Sequence, residues 1–319
     1  DDMPPVGKPG EISSIASTGL LGIEQIDFAN GVKVLMWPVQ EEPGRVAVKV
    51  RFGGGYRSFG PEDAPYIGLG EMALVGAGVG DLGQEELDRI ATGRKMGFEF
   101  EIDDASFEFS ADTRPSDLAD QLYLFAAKFA MPRWDENPLL RAKAAAELQY
   151  EAYSTSPQGV LSRDLRYLQR DRDPRFETPT PAEIAEATPE GFRRVWQRAL
   201  DYGPIEVQLY GDFDREEAIA ALQRTFGALP SRKPLPAGTA PARVGFPDPS
   251  DKPVVLTHRG DANQAAAVIS WPTGGGSPGI SASRQLEILT QLFTNRLMLA
   301  MREKMGASYA PQVYSSWPV

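Results

Sequence analysis

The sequence predicts an α+β fold of two related domains, each a mainly antiparallel sheet with helices packed on one face, the second truncated. Two pairs of alternating segments near the N-terminus, a long helical block after them and one returning strand predict the first domain. A proline-rich stretch then separates it from the second.

Residues 1–22 are rich in Pro, Gly and Ser without periodicity and are expected to be a linker or arm. Residues 23–229 are expected to be the first domain. Gln25–Phe28 and Val32–Trp37 flank Asn30-Gly31, a hairpin signal because both residues tolerate positive φ. Val46–Phe52 alternates as a third strand, and helices are expected near Ile67–Val75 and Gln84–Arg94. Phe98–Ile102 and Ser106–Ser110 alternate on either side of Asp103-Asp104, giving a second antiparallel pair. Helices follow from Pro115 to Leu200, including Asn137–Tyr153, Ser156–Gln169 and one opened by Thr188-Pro189. Ile205–Tyr210 returns as a strand, and Asp214-Arg215-Glu216-Glu217 opens a helix ending near Phe226.

Seven prolines fall between Ala228 and Pro253, so 230–253 is expected to be a linker. Residues 254–319 are expected to begin the second, related domain. Strands are expected at Val254–His258, at Ala265–Trp271 and from Ser308, around an amphipathic helix over Ser281–Lys304.

Composition narrows the chemistry. A formal charge of -11 argues against a nucleic-acid partner, which needs clustered Lys and Arg. No apolar run reaches membrane-spanning length. Cysteine is absent, which removes disulfides, thiolate metal sites and cysteine nucleophiles. The chain has one histidine, His258, whereas most zinc hydrolases need at least two imidazoles.

Several short motifs tempt and fail. Gly68-Leu69-Gly70-Glu71-Met72-Ala73 fits a relaxed dinucleotide pattern, but no strand leads into it. Gly275-Gly276-Ser277-Pro278-Gly279 matches a nucleophile elbow as a string, yet Pro278 has no N–H to offer an oxyanion. Gly53-Gly54-Gly55 lacks the Gly-Lys-Ser/Thr that cradles phosphate. Asp103-Asp104 and Asp171-Arg172-Asp173 lack the ligand spacing of a calcium loop and read as turns. His258 has no serine or thiol partner and reads as a locally hydrogen-bonded side chain.

Taken in order, other segments resemble the pitrilysin/insulinase family of zinc metallopeptidases. They are the hairpin Phe28–Val34, the strand ending in Gly53-Gly54-Gly55 with the helical stretch Tyr66–Val75, Leu209–Asp214, Phe226-Gly227-Ala228-Leu229-Pro230, and Arg302-Glu303-Lys304-Met305-Gly306-Ala307-Ser308-Tyr309. The resemblance covers roughly residues 24–319. Active members carry H-x-x-E-H on the helix, two imidazoles on one face for zinc and a glutamate to activate water. The corresponding positions here are Ile67, Gly70 and Glu71, and the distal glutamate ligand falls on Glu147. No imidazole remains.

The resemblance therefore implies the metal-free, C-terminal-type half of such a peptidase. It implies no catalytic residue and no metal site in this chain, which is not an enzyme on its own. Zinc and the general base are expected in a partner half bearing H-x-x-E-H, on the same polypeptide or a separate subunit. Arg302 and Tyr309 match the arginine and tyrosine that this half offers to the peptide substrate. Arg302 lies in the last turn of a long helix that Gly306 can end, and Tyr309 opens the next strand. Both could donate to a peptide carbonyl or an oxyanion. The alternatives for the pair are a dipole-complementing arginine and a packed aromatic, and for the chain a purely structural module without substrate contact. Exported bacterial relatives make the periplasm the expected compartment.

Overall fold

The computed structural model describes residues 3–239, 245–273, 279–305 and 311–316. In chain order it contains β1 Ile12–Ser17, β2 Glu24–Phe28, β3 Lys33–Pro38, β4 Val46–Phe52, α1 Ala64–Ala73, α2 Gln84–Ala91, β5 Glu99–Ile102 and β6 Phe107–Thr113. There follow α3 Leu118–Ala130, α4 Glu136–Tyr153, α5 Pro157–Gln169, α6 Pro181–Glu186, α7 Pro189–Asp201, β7 Ile205–Gly211, α8 Arg215–Arg224 and α9 Gly279–Met305. The fold is α+β, as the alternation of the strands and the helical block predict.

The strands form one sheet in the order β1-β2-β3-β7-β4-β6-β5. The returning strand β7 enters between the two hairpin-connected groups. It runs parallel to β3, with Val34 opposite Val207, and antiparallel to β4, with Val50 opposite Val207. All other pairings are antiparallel. Alternation in β4, β6 and β7 turns Val46, Val48, Val50, Phe52, Phe107, Phe109, Val207 and Leu209 into the core beneath the helices. The other face carries ion pairs such as Lys49–Glu108 at 3.2 Å.

Local chemistry explains the element ends. Gly31 takes φ 92° in the β2–β3 turn, open only to a residue without a Cβ penalty. Thr188 caps α7 by accepting from the Gly191 N–H at 3.0 Å, and Asp214 caps α8 by accepting from the Glu217 N–H at 2.9 Å. Asn30 joins the first hairpin to the exit of α8. Its Nδ2 donates to the carbonyls of Phe226 (2.9 Å), Gly227 (3.2 Å) and Leu229 (3.0 Å), while its Oδ1 accepts from the Val32 N–H at 3.1 Å.

Two regions differ from the sequence expectation. The residues expected to be an arm include β1, which pairs antiparallel with β2 at the sheet edge, Ile15 opposite Ile26. Upstream of it, Val6 packs against the core, the Tyr123 hydroxyl donates to Pro4 O at 2.6 Å and the Gly10 N–H donates to Gln223 O at 2.9 Å. An edge strand exposed on both faces needs no apolar alternation, so Ile12–Ser17 shows none.

Downstream, the expected strands at Val254–His258 and Ala265–Trp271 are not strands in the structure. A strand exists only where a neighbour takes its backbone N–H and C=O groups, and no ladder forms here among the described residues. Val255 and Ile269 are 79% and 73% exposed. The strand expected from Ser308 lies partly outside the described residues, and 311–316 contains none.

The contacts divide the chain into two units, Asp1–Val268 and Ile269–Val319. Within the second, the Trp271 and Phe293 rings lie 6.3 Å apart, and the Val313 N–H donates to Thr294 Oγ1 at 3.0 Å. On α9, Ile288, Leu289, Leu292 and Leu299 are exposed.

Candidate functional site

Helix α1 is the element whose sequence counterpart would carry metal ligands, and its surroundings decide what it can do. Pro65 stands in its first turn, where a missing N–H costs nothing. Ile67, Leu69, Gly70 and Ala73 are buried. The indole of Trp196, on α7, is fully buried against this helix. A Cβ on Gly70 would stand 2.0 Å from its Cζ2 and 2.1 Å from its Cε2. The ring is fixed there because its Nε1–H donates to the Tyr66 carbonyl at 2.9 Å.

Helix α7 grips α1 at further points. The Thr188 N–H donates to the Tyr66 hydroxyl at 3.3 Å. Arg198 donates to the buried Asp63 carboxylate at 2.5 Å, beside the start of α1. Asp63 in turn accepts from the Gly60 N–H at 2.9 Å. Helix α7 thus reaches α1 at the Tyr66 carbonyl, at the Tyr66 hydroxyl and at Asp63 just before its first turn.

Glu71 is the exposed member of the three positions. Desolvation by the surrounding protein raises its pKa; Arg166 opposes the rise and Glu101, on β5, adds to it. Arg166, on α5, donates to the Tyr56 hydroxyl at 3.0 Å. Its guanidinium lies over the rings of Tyr56 (4.4 Å) and Phe176 (4.9 Å), which stack on each other at 4.3 Å. Burial pushes the Tyr56 hydroxyl pKa up, with Arg166 pulling the other way. Asp104, in the β5–β6 turn, is buried and pairs with Arg170 at 2.8 Å, with Arg166 at 3.9 Å.

These donors do not fit zinc. Ile67 and Gly70 offer no ligand atom, Glu71 shares its surroundings with a guanidinium, and Glu147 lies exposed on α4. Among the described residues no three His, Cys, Asp or Glu side chains gather as a metal site. His258 is engaged locally: its Nδ1 accepts from the Gly260 N–H at 3.1 Å and its Nε2 lies 2.9 Å from Gln264 O.

Strand β5 is a sheet edge, and Glu101 brings it near α1. The Asp103 N–H donates to Ser106 O across the hairpin at 2.9 Å, while the Asp103 carbonyl accepts from the Tyr56 N–H at 3.0 Å. Alternation then turns the N–H and C=O of Phe100 and Ile102 away from β6. Such an edge can take an added strand.

Of the two residues matched to substrate binding, Arg302 is exposed in the last turn of α9. Tyr309 lies outside the described residues. Sequence reasoning missed Trp196, Arg166 and Tyr56. The spacing of Phe192, Val195, Trp196 and Ala199 marks the buried face of α7, yet says nothing of which helix that face meets.

Residues 188–317 match the family described as the peptidase M16 inactive domain. The chloroplastic stromal processing peptidase of Pisum sativum is 23% identical over 199 residues, 61% of this chain and 16% of that protein. The periplasmic protease PqqL of Escherichia coli superposes with a TM-score of 0.72 at 16% identity, over 98% of this chain and 34% of that one. A peptidase M16 inactive domain from Pseudomonas fluorescens gives 0.65 at 18% identity, over 91% of this chain and 70% of that one. These structural likenesses are likenesses of fold, and the chain spans only a small part of the curated relative.

Proposed function

We propose that this chain, whose residues 188–317 match the peptidase M16 inactive domain and whose fold is shared with the protease PqqL and with pitrilysin, is the peptide-holding half of a zinc endopeptidase. A partner half, in cis or in trans, supplies the zinc and the general base. Zinc, when bound there, polarises the scissile carbonyl and activates water. This chain contributes no ligand and no base. Its part is to close over an extended peptide and donate hydrogen bonds to it.

One observation carries the reading: of the three α1 positions that would serve zinc, Ile67 is buried without a ligand atom, Gly70 is closed off by Trp196 and Glu71 alone is exposed. Arg302 and Tyr309 are the proposed contacts, a guanidinium and a phenol that both donate to a carbonyl or oxyanion. Reading a peptide through backbone groups tolerates many sequences, so the site selects extended conformation above side-chain identity. The periplasm is the proposed compartment; among the described residues no helix is long and apolar enough to cross a membrane. Residues 230–253 are the proposed joint between the domains.

The test is reconstitution with the catalytic half, found by an H-x-x-E-H upstream on the polypeptide or in a neighbouring gene. Replacing Arg302 by Ala and Tyr309 by Phe is expected to lower turnover by roughly 10²-fold, the scale of losing an oxyanion donor, with the halves still associated. Unchanged turnover with intact association would leave this chain a purely structural module.

A further inference from the structure

Helix α2 is amphipathic, yet none of its residues is buried. Its Leu87, Ile90 and Ala91 roof a cavity of about 230 Å³ that they do not fill. Val75, Met96, Phe98, Tyr123, Leu124 and Met3 complete the apolar lining, and Lys128 of α3 also lines it. At the ~30 Å³ that a water takes in the liquid, the space holds about eight heavy atoms.

Lys128 is the unusual member. It is 4% exposed and, among the described residues, pairs with no carboxylate. Its Nζ donates to Leu74 O at 2.7 Å and to Ala77 O at 2.5 Å. An ammonium has three protons to donate, and the Phe98 ring, which also lines the cavity, has its centroid 5.1 Å from Nζ. A buried cation without a counter-ion is unfavourable. Burial accordingly lowers its pKa from 10.5 to about 7, against a weaker pull from Asp135. Two carboxylates also line the cavity: Asp120 pairs with Arg94, while Asp88, which accepts from Gln84 Nε2 at 2.8 Å, is exposed and screened by solvent.

We propose that the cavity beneath α2 is a binding site for a small apolar monocarboxylate of about eight heavy atoms, its tail under Leu87 and Ile90 and its carboxylate on Lys128. The ligand supplies what the structure leaves open, apolar atoms for the roof and a counter-ion for the floor. The shared chemistry is a carboxylate on a short hydrocarbon, from a free aliphatic acid or from the C-terminal residue of a peptide. The site stands apart from the peptide reading and does not depend on it.

Calorimetry of the full chain tests it with hexanoate, with the isosteric but uncharged hexanamide, and with N-acetyl-alanine, a capped C-terminal residue of similar size. Hexanoate is expected to bind one to one, at least about tenfold tighter than hexanamide, since a charge-assisted bond is worth more than a neutral one. Titration at pH 8 in two buffers of different ionisation enthalpy is expected to show proton uptake, because the anion recharges Lys128. N-acetyl-alanine binding as tightly assigns the site to peptide C-termini; hexanoate alone assigns it to free acids. Lys128→Met should abolish the preference over hexanamide. Because that change also strips donors from two buried carbonyls, Leu87→Trp serves as a second variant. It fills the cavity from the roof, leaves Lys128 in place and should abolish hexanoate binding. Equal affinity for acid and amide, no saturable binding by about 10 mM, or undiminished binding by Leu87→Trp would overturn the proposal.

Discussion

The indole of Trp196 occupies the space that a side chain on Gly70 would need, and its hydrogen bond to the Tyr66 carbonyl keeps it there. Gly70→Ala gains about 1 kcal/mol of helix propensity. It also drives a Cβ to 2.0 Å from a rigid buried ring, and overpacking of this kind costs about 1–3 kcal/mol or more. The steric loss wins, so urea unfolding should show net destabilisation. The pair Gly70→Ala with Trp196→Leu should lose less than the sum of the two single changes.

Glu71 has a folded-state pKa raised above its ordinary value, so the folded chain binds more protons than the unfolded one between the two values. Stability from this group is therefore greatest below the unfolded value of about 4.5. It declines as pH rises through the folded value. Glu71→Gln should flatten that decline and leave the protein slightly more stable at neutral pH. Arg166→Met should raise the Glu71 pKa further, as read by NMR titration of its carboxyl carbon.

Asn30 holds three carbonyls from the exit of α8 with one amide group. Asn30→Ala leaves them without that donor, and an unsatisfied buried group costs about 1–3 kcal/mol. Asn30→Asp keeps the acceptor for Val32 but sets a charge against the carbonyls, and should destabilise at least as much. Chemical denaturation of both variants checks this.

Lys128 titrates near pH 7 in the folded chain and near 10.5 once unfolded. Between those values the unfolded state holds the extra proton, so stability rises with pH by up to about 1.4 kcal/mol per unit. Below about pH 7 the full penalty of the buried charge applies. Unfolding measured from pH 7 to 9.5 should show this slope in the native chain and its absence in Lys128→Met.

Much of the first unit was legible because its signals are local. Asn30-Gly31 announces its hairpin, Thr188-Pro189 and Asp214 announce their helices, and the paired alternation around Asp103-Asp104 announces a second antiparallel pair. What escaped depends on what a segment meets in the fold more than on its own residues. Ile12–Ser17 becomes a strand only because β2 offers it an edge, and nothing in its polar composition foretells this. Val254–His258 carries a strand's composition and lacks the neighbour. The closure of Gly70 by Trp196 joins two helices far apart in the chain, so the missing histidines were readable while their physical replacement was not.

The most direct measurement is zinc bound per purified chain, taken together with peptide cleavage by that chain with and without a chelator. The account predicts trace metal and no cleavage in either condition, because α1 presents an isoleucine, a glycine backed by tryptophan and a lone carboxylate. One tightly held zinc per chain, with cleavage that ceases on chelation, would contradict it.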